Sequence, residues 1–98
     1  MPSTGPTQIA SGADRPRLAG HARLRFDPAR AQHVLLTPEA VTVLNGTGAA
    51  ILGLCDGERS VTGIVADLQA RYHRVDPAEV RSFLDRLAAK RCVVMEHG

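Results

Sequence analysis

Two cysteines, four histidines and one Cys-Asp-Gly step are the groups in this chain that could act as nucleophiles or metal ligands. Cys55 precedes Asp56 and Gly57 within LNGTGAAILGLCDGERS, residues 44–60. A reactive thiolate needs a helix N-terminus or a cationic neighbour. Cys55 instead falls at the C-terminal end of an apolar helical run, where the helix dipole opposes negative charge. Asp56 raises its pKa further, and no histidine lies nearby in sequence. The Cys-Asp-Gly step therefore reads as a helix stop, with Gly57 free to take the left-handed conformation. Cys55, Cys92, His21, His33, His73 and His97 form no C-x-x-C or H-x-x-x-H pair, the usual nucleus of a zinc site. Glycine motifs for phosphate, dinucleotide or an exposed serine nucleophile are also missing. Neither catalysis nor a metal or other cofactor is expected.

The elements that must position any site follow from periodicity. Ninety-eight residues make one domain, and with two Phe, one Tyr and no Trp its core is thin. Residues 1–16 are rich in Pro, Ser, Thr and Gly and read as a flexible N-terminal arm ahead of a domain spanning 17–98. From His21 the texture alternates. Ala22, Leu24 and Phe26 point to one side and His21, Arg23 and Arg25 to the other, the pattern of a half-buried strand. A turn at Asp27 and Pro28 leads to a second strand, AQHVLL (31–36); Pro38 breaks it before a third, AVTVL (40–44). Asn45 caps a first, nearly all-apolar helix, and Ser60 a second with Val61, Ile64, Val65, Leu68 and Tyr72 on one stripe. Asp76, Pro77 and Glu79 open a third through a capping box, with Val80, Phe83, Leu84, Leu87 and Ala88 as its apolar stripe. CVVME (92–96) leaves room for a short final strand. The expected fold is α+β with a winged helix-turn-helix outline: three short antiparallel strands, then three helices.

Charge and edges bound the function. Twelve basic against ten acidic side chains leave a net charge of +2, a weak footprint for nucleic acid. Arg71, His73, Arg74, Arg81, Arg86, Lys90 and Arg91 do concentrate in the second half, and a small winged-helix DNA-binding regulator would present them on its third helix. Glu79 and Asp85 share that exposed side, so the mixed signs favour a solvated face suited to an acidic peptide. No apolar run reaches membrane-spanning length and no secretory signal precedes the domain, which points to the cytoplasm and reduced thiols. Ala40–Leu44 falls at a sheet edge, where unpaired N–H and C=O groups form a template for another extended chain. A helix, the N-terminal arm, or a second copy in a homodimer would compete for that edge.

The stretch LNGTGAAILGLCDGERSVTGIV (44–65), preceded by RPRLAGHARLRFD (15–27) and VLLTPEAVTVLN (34–45), resembles the PqqD family of pyrroloquinoline quinone (PQQ) biosynthesis. Leu44, Asn45, Thr47, Ile51, Leu52, Cys55, Asp56 and Gly57 match the family pattern. Gly48 stands where the family more often has Ala, Phe26 where it often has Trp, and Gly63 where an acidic residue would complete a capping box with Ser60. The resemblance implies a non-catalytic peptide chaperone. Such a protein binds the ribosomally made precursor peptide of PQQ and presents it to a radical S-adenosylmethionine enzyme. It further implies a site between the third strand and the third helix: Ala40, Val41, Thr42, Val43 and Leu44 facing Val80, Arg81, Leu84, Asp85, Leu87 and Ala88. An extended peptide would add to the strand in either direction, main-chain bonds giving affinity and the helix selectivity. Arg81, Arg86 and Arg91 would steer acidic residues of the peptide.

Overall fold

The computed structural model describes residues 13–96, which form five strands and three helices. Three strands make an antiparallel sheet in the order β2 (Arg23–Asp27), β3 (Gln32–Leu36), β4 (Val41–Leu44). Helices α1 (Gly46–Gly53), α2 (Val61–Arg71) and α3 (Pro77–Ala89) follow, and then β5 (Val93–Glu96). The strands-then-helices order is the expected one. A strand ahead of these, β1 (Arg15–Leu18), was not expected; it pairs antiparallel with β5, Arg15 opposite Glu96 and Leu18 opposite Val93.

Most of the N-terminal arm read from the sequence, residues 1–12, lies outside the described residues, but its last residues are built into the domain. The Val61 N–H donates to the Asp14 carbonyl at 2.8 Å, and the Gly57 N–H to the Pro16 carbonyl at 2.9 Å. RPRL carries no alternation to announce a strand. Its partners are distant in sequence: β5 on one side and the Cys55–Gly57 segment on the other, where Arg17 bridges Asp56 and the Leu18 N–H donates to the Cys55 carbonyl. α1 ends before the Cys-Asp-Gly step, at Gly53 with Leu54 as its C-cap, and the step runs on as a rail for β1. Gly57 sits at φ 81°, a conformation that favours glycine.

Asp56 is the polar centre of this rail. Its carboxylate accepts from the Arg59 and Glu58 N–H groups, both at 2.9 Å, and meets the Arg59 guanidinium at 2.8 Å. Those N–H donors, Arg59 first, hold its pKa below the ordinary aspartate value. A depressed pKa means that folding favours the ionised form, so the stabilisation is complete above the unfolded pKa and is lost as pH falls through the folded one. Urea melts from pH 6 to pH 2 are expected to show Asp56→Asn losing less stability on acidification than wild type. Equal acid sensitivity would remove Asp56 as a source of it.

Each helix starts where its cap residue lies. Asn45 Oδ1 accepts from the Gly48 N–H, Ser60 Oγ from the Gly63 N–H, and Asp76 Oδ1 from the Ala78 N–H. Among the described residues the Glu79 carboxylate makes no return bond to Asp76, so α3 has a cap rather than the full box. The core lies between α1 and the sheet and between the helices; Leu35, Val61, Ile64, Leu68 and Leu84 are its most buried large side chains. Two expectations differ at element ends. Phe26 lies beside the hairpin turn, past the packed layer, where it is 52% exposed and meets His33 edge-on at 4.9 Å. Tyr72 is the C-cap of α2 and turns outward.

Chain reversal after α3 uses Arg91 at φ 65°, with the Cys92 N–H reaching back to the Leu87 carbonyl at 2.9 Å. This is the helix ending that normally takes glycine. Arg91 is exposed and makes no ion pair among the described residues. Arg91→Gly is therefore expected to raise the unfolding free energy by about 0.5–1 kcal/mol, read from urea midpoints. A drop would mean that the arginine side chain outweighs its backbone strain.

Candidate functional site

β4 is an edge strand, and among the described residues nothing pairs with its outer side. Hydrogen bonds at the hairpin fix which groups face outward. Thr37 and Ala40 exchange both main-chain bonds, at 3.0 and 3.3 Å, across a two-residue turn at Pro38 and Glu39. Bonded and non-bonded pairs alternate along an antiparallel ladder. Counting from that pair through the register, Thr42 opposite Leu35 and Leu44 opposite His33 are bonded to β3. Val41 and Val43, opposite Leu36 and Val34, therefore point their N–H and C=O groups at the open edge. Side chains follow the same period: Thr42 and Leu44 share the face of buried Leu35, whereas Val41 and Val43 lie on the other face, 67% and 57% exposed.

Beside this edge runs a groove of about 590 Å3 between β4, the first turns of α1 and the length of α3. The rotation of α3 is set by its core stripe. Val80, Leu84 and Leu87 are buried, Leu84 completely. Positions 79, 83, 86 and 90 occupy one flank of that stripe, and 81, 85 and 88 the other. The first flank faces β4: Glu79, Phe83, Arg86 and Lys90 line the groove together with Thr42, Val43 and Leu44. Phe83, half-buried, lies over the N-terminal turn of α1, so close that a Cβ on Gly48 would come within 3.3 Å of its ring. The Arg86 guanidinium carbon stands 6.0 Å from the Phe83 ring centroid, and its Nη1 donates to Ser82 Oγ at 3.4 Å.

Residues 32–93, more than half of the chain, match the family described as coenzyme PQQ synthesis protein D, PqqD. The chain belongs to the PqqD family. The PqqA binding protein of Rhodopseudomonas palustris (strain BisB5) is 46% identical over 70 residues, 71% of this chain and 68% of that one. The PqqA binding protein of Azotobacter vinelandii is 45% identical over 74 residues, 74% of this chain and 80% of its own. Among solved structures, the solution structure of the PqqD truncation of Methylobacterium extorquens PqqCD superposes with a TM-score of 0.69 at 40% identity. It covers 87% of this chain and 94% of that one, and it represents a functional, stand-alone recognition element for ribosomally synthesized and post-translationally modified peptides.

The PqqD match runs from β3 to the start of β5, so both walls of the groove lie inside it. Of the site residues read from the sequence, the structure brings Thr42, Val43, Leu44, Val80 and Leu87 to the groove. Ala40 and Val41 lie at the exposed start of the strand, outside the groove lining. Leu84 points into the core; Arg81, Asp85 and Ala88 lie on the flank turned away from β4, where Arg81 Nε is sealed from solvent. Phe83, Lys90, Glu79 and Arg74 also line the groove, and of the three arginines expected to steer the peptide's acids, Arg86 lines it and Arg81 and Arg91 do not. Phe83 carried a signal: a large ring at one margin of the stripe marks the flank that packs against something.

Cys55 is buried, its Sγ donates to the Ile51 carbonyl at 3.3 Å, and burial, with Asp56 adding to it, pushes the thiol up to about 12. Such a group stays protonated at neutral pH and is inert as a nucleophile. Cys92 is a second free, buried thiol. Neither lines the groove. What the groove can do is bind: one strand edge for main-chain bonds, one aromatic wall, and charges at its margins.

Proposed function

We propose that this chain is a non-catalytic adaptor of PQQ biosynthesis that holds the PqqA precursor peptide as an added strand on β4. The observation that carries the reading is the phase of the β4 ladder. Val41 and Val43 leave two sets of main-chain groups open beside a groove with an aromatic wall, the arrangement that strand addition requires. Each bond nets only about 1 kcal/mol, so micromolar affinity needs an apolar anchor as well, and Phe83 supplies it. The PqqA binding proteins among the relatives support the choice of peptide. Presentation to a radical S-adenosylmethionine enzyme, as the family resemblance implies it, and a cytoplasmic location, as the signal-free sequence implies it, complete the reading. A homodimer through β4 would use the same edge and compete with the peptide. A DNA-binding reading is not favoured, because Arg86 and Lys90 line a groove shared with β4 instead of a helix face free to enter a major groove.

Isothermal titration of the protein with the PqqA peptide of Rhodopseudomonas palustris tests the proposal. Saturable one-to-one binding supports it. Absence of binding at protein concentrations well above micromolar would refute it.

A further inference from the structure

Charge is sorted along the groove. Asp76 and Glu79 line it at the first turn of α3 with Arg74 just ahead of them, Phe83 lines the middle, and Arg86 and Lys90, with no acid among the lining residues there, line the last turn. The helix dipole accounts for which end carries which sign. It does not account for both cations falling on the flank that faces β4, when the opposite flank, with Arg81 and Asp85, was equally available. Among the described residues, every ion pair lies elsewhere: Arg86 and Lys90 meet no carboxylate. Arg86 reaches Ser82 Oγ at 3.4 Å and lies 6.0 Å from the Phe83 ring centroid, which aims it along the groove wall. A positioned guanidinium and an ammonium, unpaired and beside an apolar anchor, form a receptor for a carboxylate.

Spacing narrows what that carboxylate must be attached to. Groove-facing side chains of an added strand recur every second residue, about 6.6 Å apart. Along α3, Arg86 lies about 4.5 Å and Lys90 about 10.5 Å beyond Phe83. For a strand laid along α3, a carboxylate two residues from the anchor falls between the two cations. We infer that the groove selects peptide segments in which an apolar side chain seated on Phe83 is separated by one residue from an Asp or Glu bound by Arg86 and Lys90. This inference rests on the strand-addition reading and adds the chemistry of the selected segment.

Fluorescence anisotropy with the labelled PqqA peptide of Rhodopseudomonas palustris tests it. Arg86→Glu with Lys90→Glu is expected to weaken binding by at least about tenfold, with circular dichroism reporting an intact fold. The milder pair Arg86→Gln with Lys90→Gln keeps the test open if the reversal unfolds α3. It is expected to weaken binding about threefold or more and to flatten its salt dependence. Replacing the peptide's acids by Lys one at a time should identify a single position that restores binding to the reversed groove. If the folded charge variants bind within about twofold of wild type while Val43→Pro does not bind, the carboxylate receptor is wrong and strand addition stands. If Val43→Pro also binds like wild type, the strand reading fails and this inference fails with it.

Discussion

Val43→Pro is expected to abolish binding of the PqqA peptide while the domain stays folded. The Val43 N–H points at the open edge, so proline deletes a donor that β3 does not use. Proline is tolerated on edge strands, and its effect on the preceding residue favours the extended backbone that Thr42 already has. An incoming strand loses one bond and meets the pyrrolidine ring where its carbonyl should sit. Loss of one bond costs about 1 kcal/mol and the obstruction more, so affinity should fall at least about tenfold. Thr42→Pro is the control, because the Thr42 N–H belongs to the β3 ladder. That variant should lose stability, shown by a lower urea midpoint, whereas Val43→Pro should melt near wild type. Retained peptide binding by folded Val43→Pro would exclude the β4 edge as the site.

Adjacent residues of α3 give the second large contrast. Leu84 is fully buried, and Leu84→Ala should cost about 2–5 kcal/mol of stability, a large share of what a domain of this size possesses. Any loss of peptide binding should then track the fraction unfolded. Phe83 is only half-buried and lines the groove. Phe83→Ala should cost clearly less stability, about 1–2 kcal/mol, yet weaken the peptide by about tenfold or more in the folded protein. The pair is read by combining urea melts with titrations under conditions where both variants are folded. If Leu84→Ala, fully folded, lost more affinity than Phe83→Ala, the rotation of α3 relative to the peptide would be wrong.

The same two residues show where sequence reasoning reaches and where it stops. Periodicity marks the core stripe of α3, because Val80, Leu84 and Leu87 must all face inward. It leaves two equivalent flanks, and which one faces β4 depends on how the helix docks. That is why Arg81, Asp85 and Ala88 could be expected in the groove while Arg86 and Lys90 took those places. β4 was legible: a proline-bounded run of β-branched residues at the end of a meander. The phase of its free groups was not, because it depends on the Thr37–Ala40 pair. β1 escaped notice for a different reason. Arg15–Leu18 has little strand character of its own and is held by bonds to residues some 40 and 80 positions away, Cys55–Gly57 and β5. The Cys-Asp-Gly step reads as a helix stop, yet α1 already ends at Gly53 with Leu54 as its C-cap; the step is the rail for β1, a role that needs the tertiary structure.

Amide hydrogen exchange, resolved by residue with and without the PqqA peptide, tests the central claim most directly. In the free protein the Val41 and Val43 amides should exchange fast and those of Thr42 and Leu44 slowly, since only the latter bond to β3. Adding the peptide should slow Val41 and Val43 strongly and Thr42 and Leu44 little beyond their existing protection. Uniform protection of all four in the free protein, or peptide-induced slowing elsewhere with Val41 and Val43 unchanged, would contradict strand addition at β4.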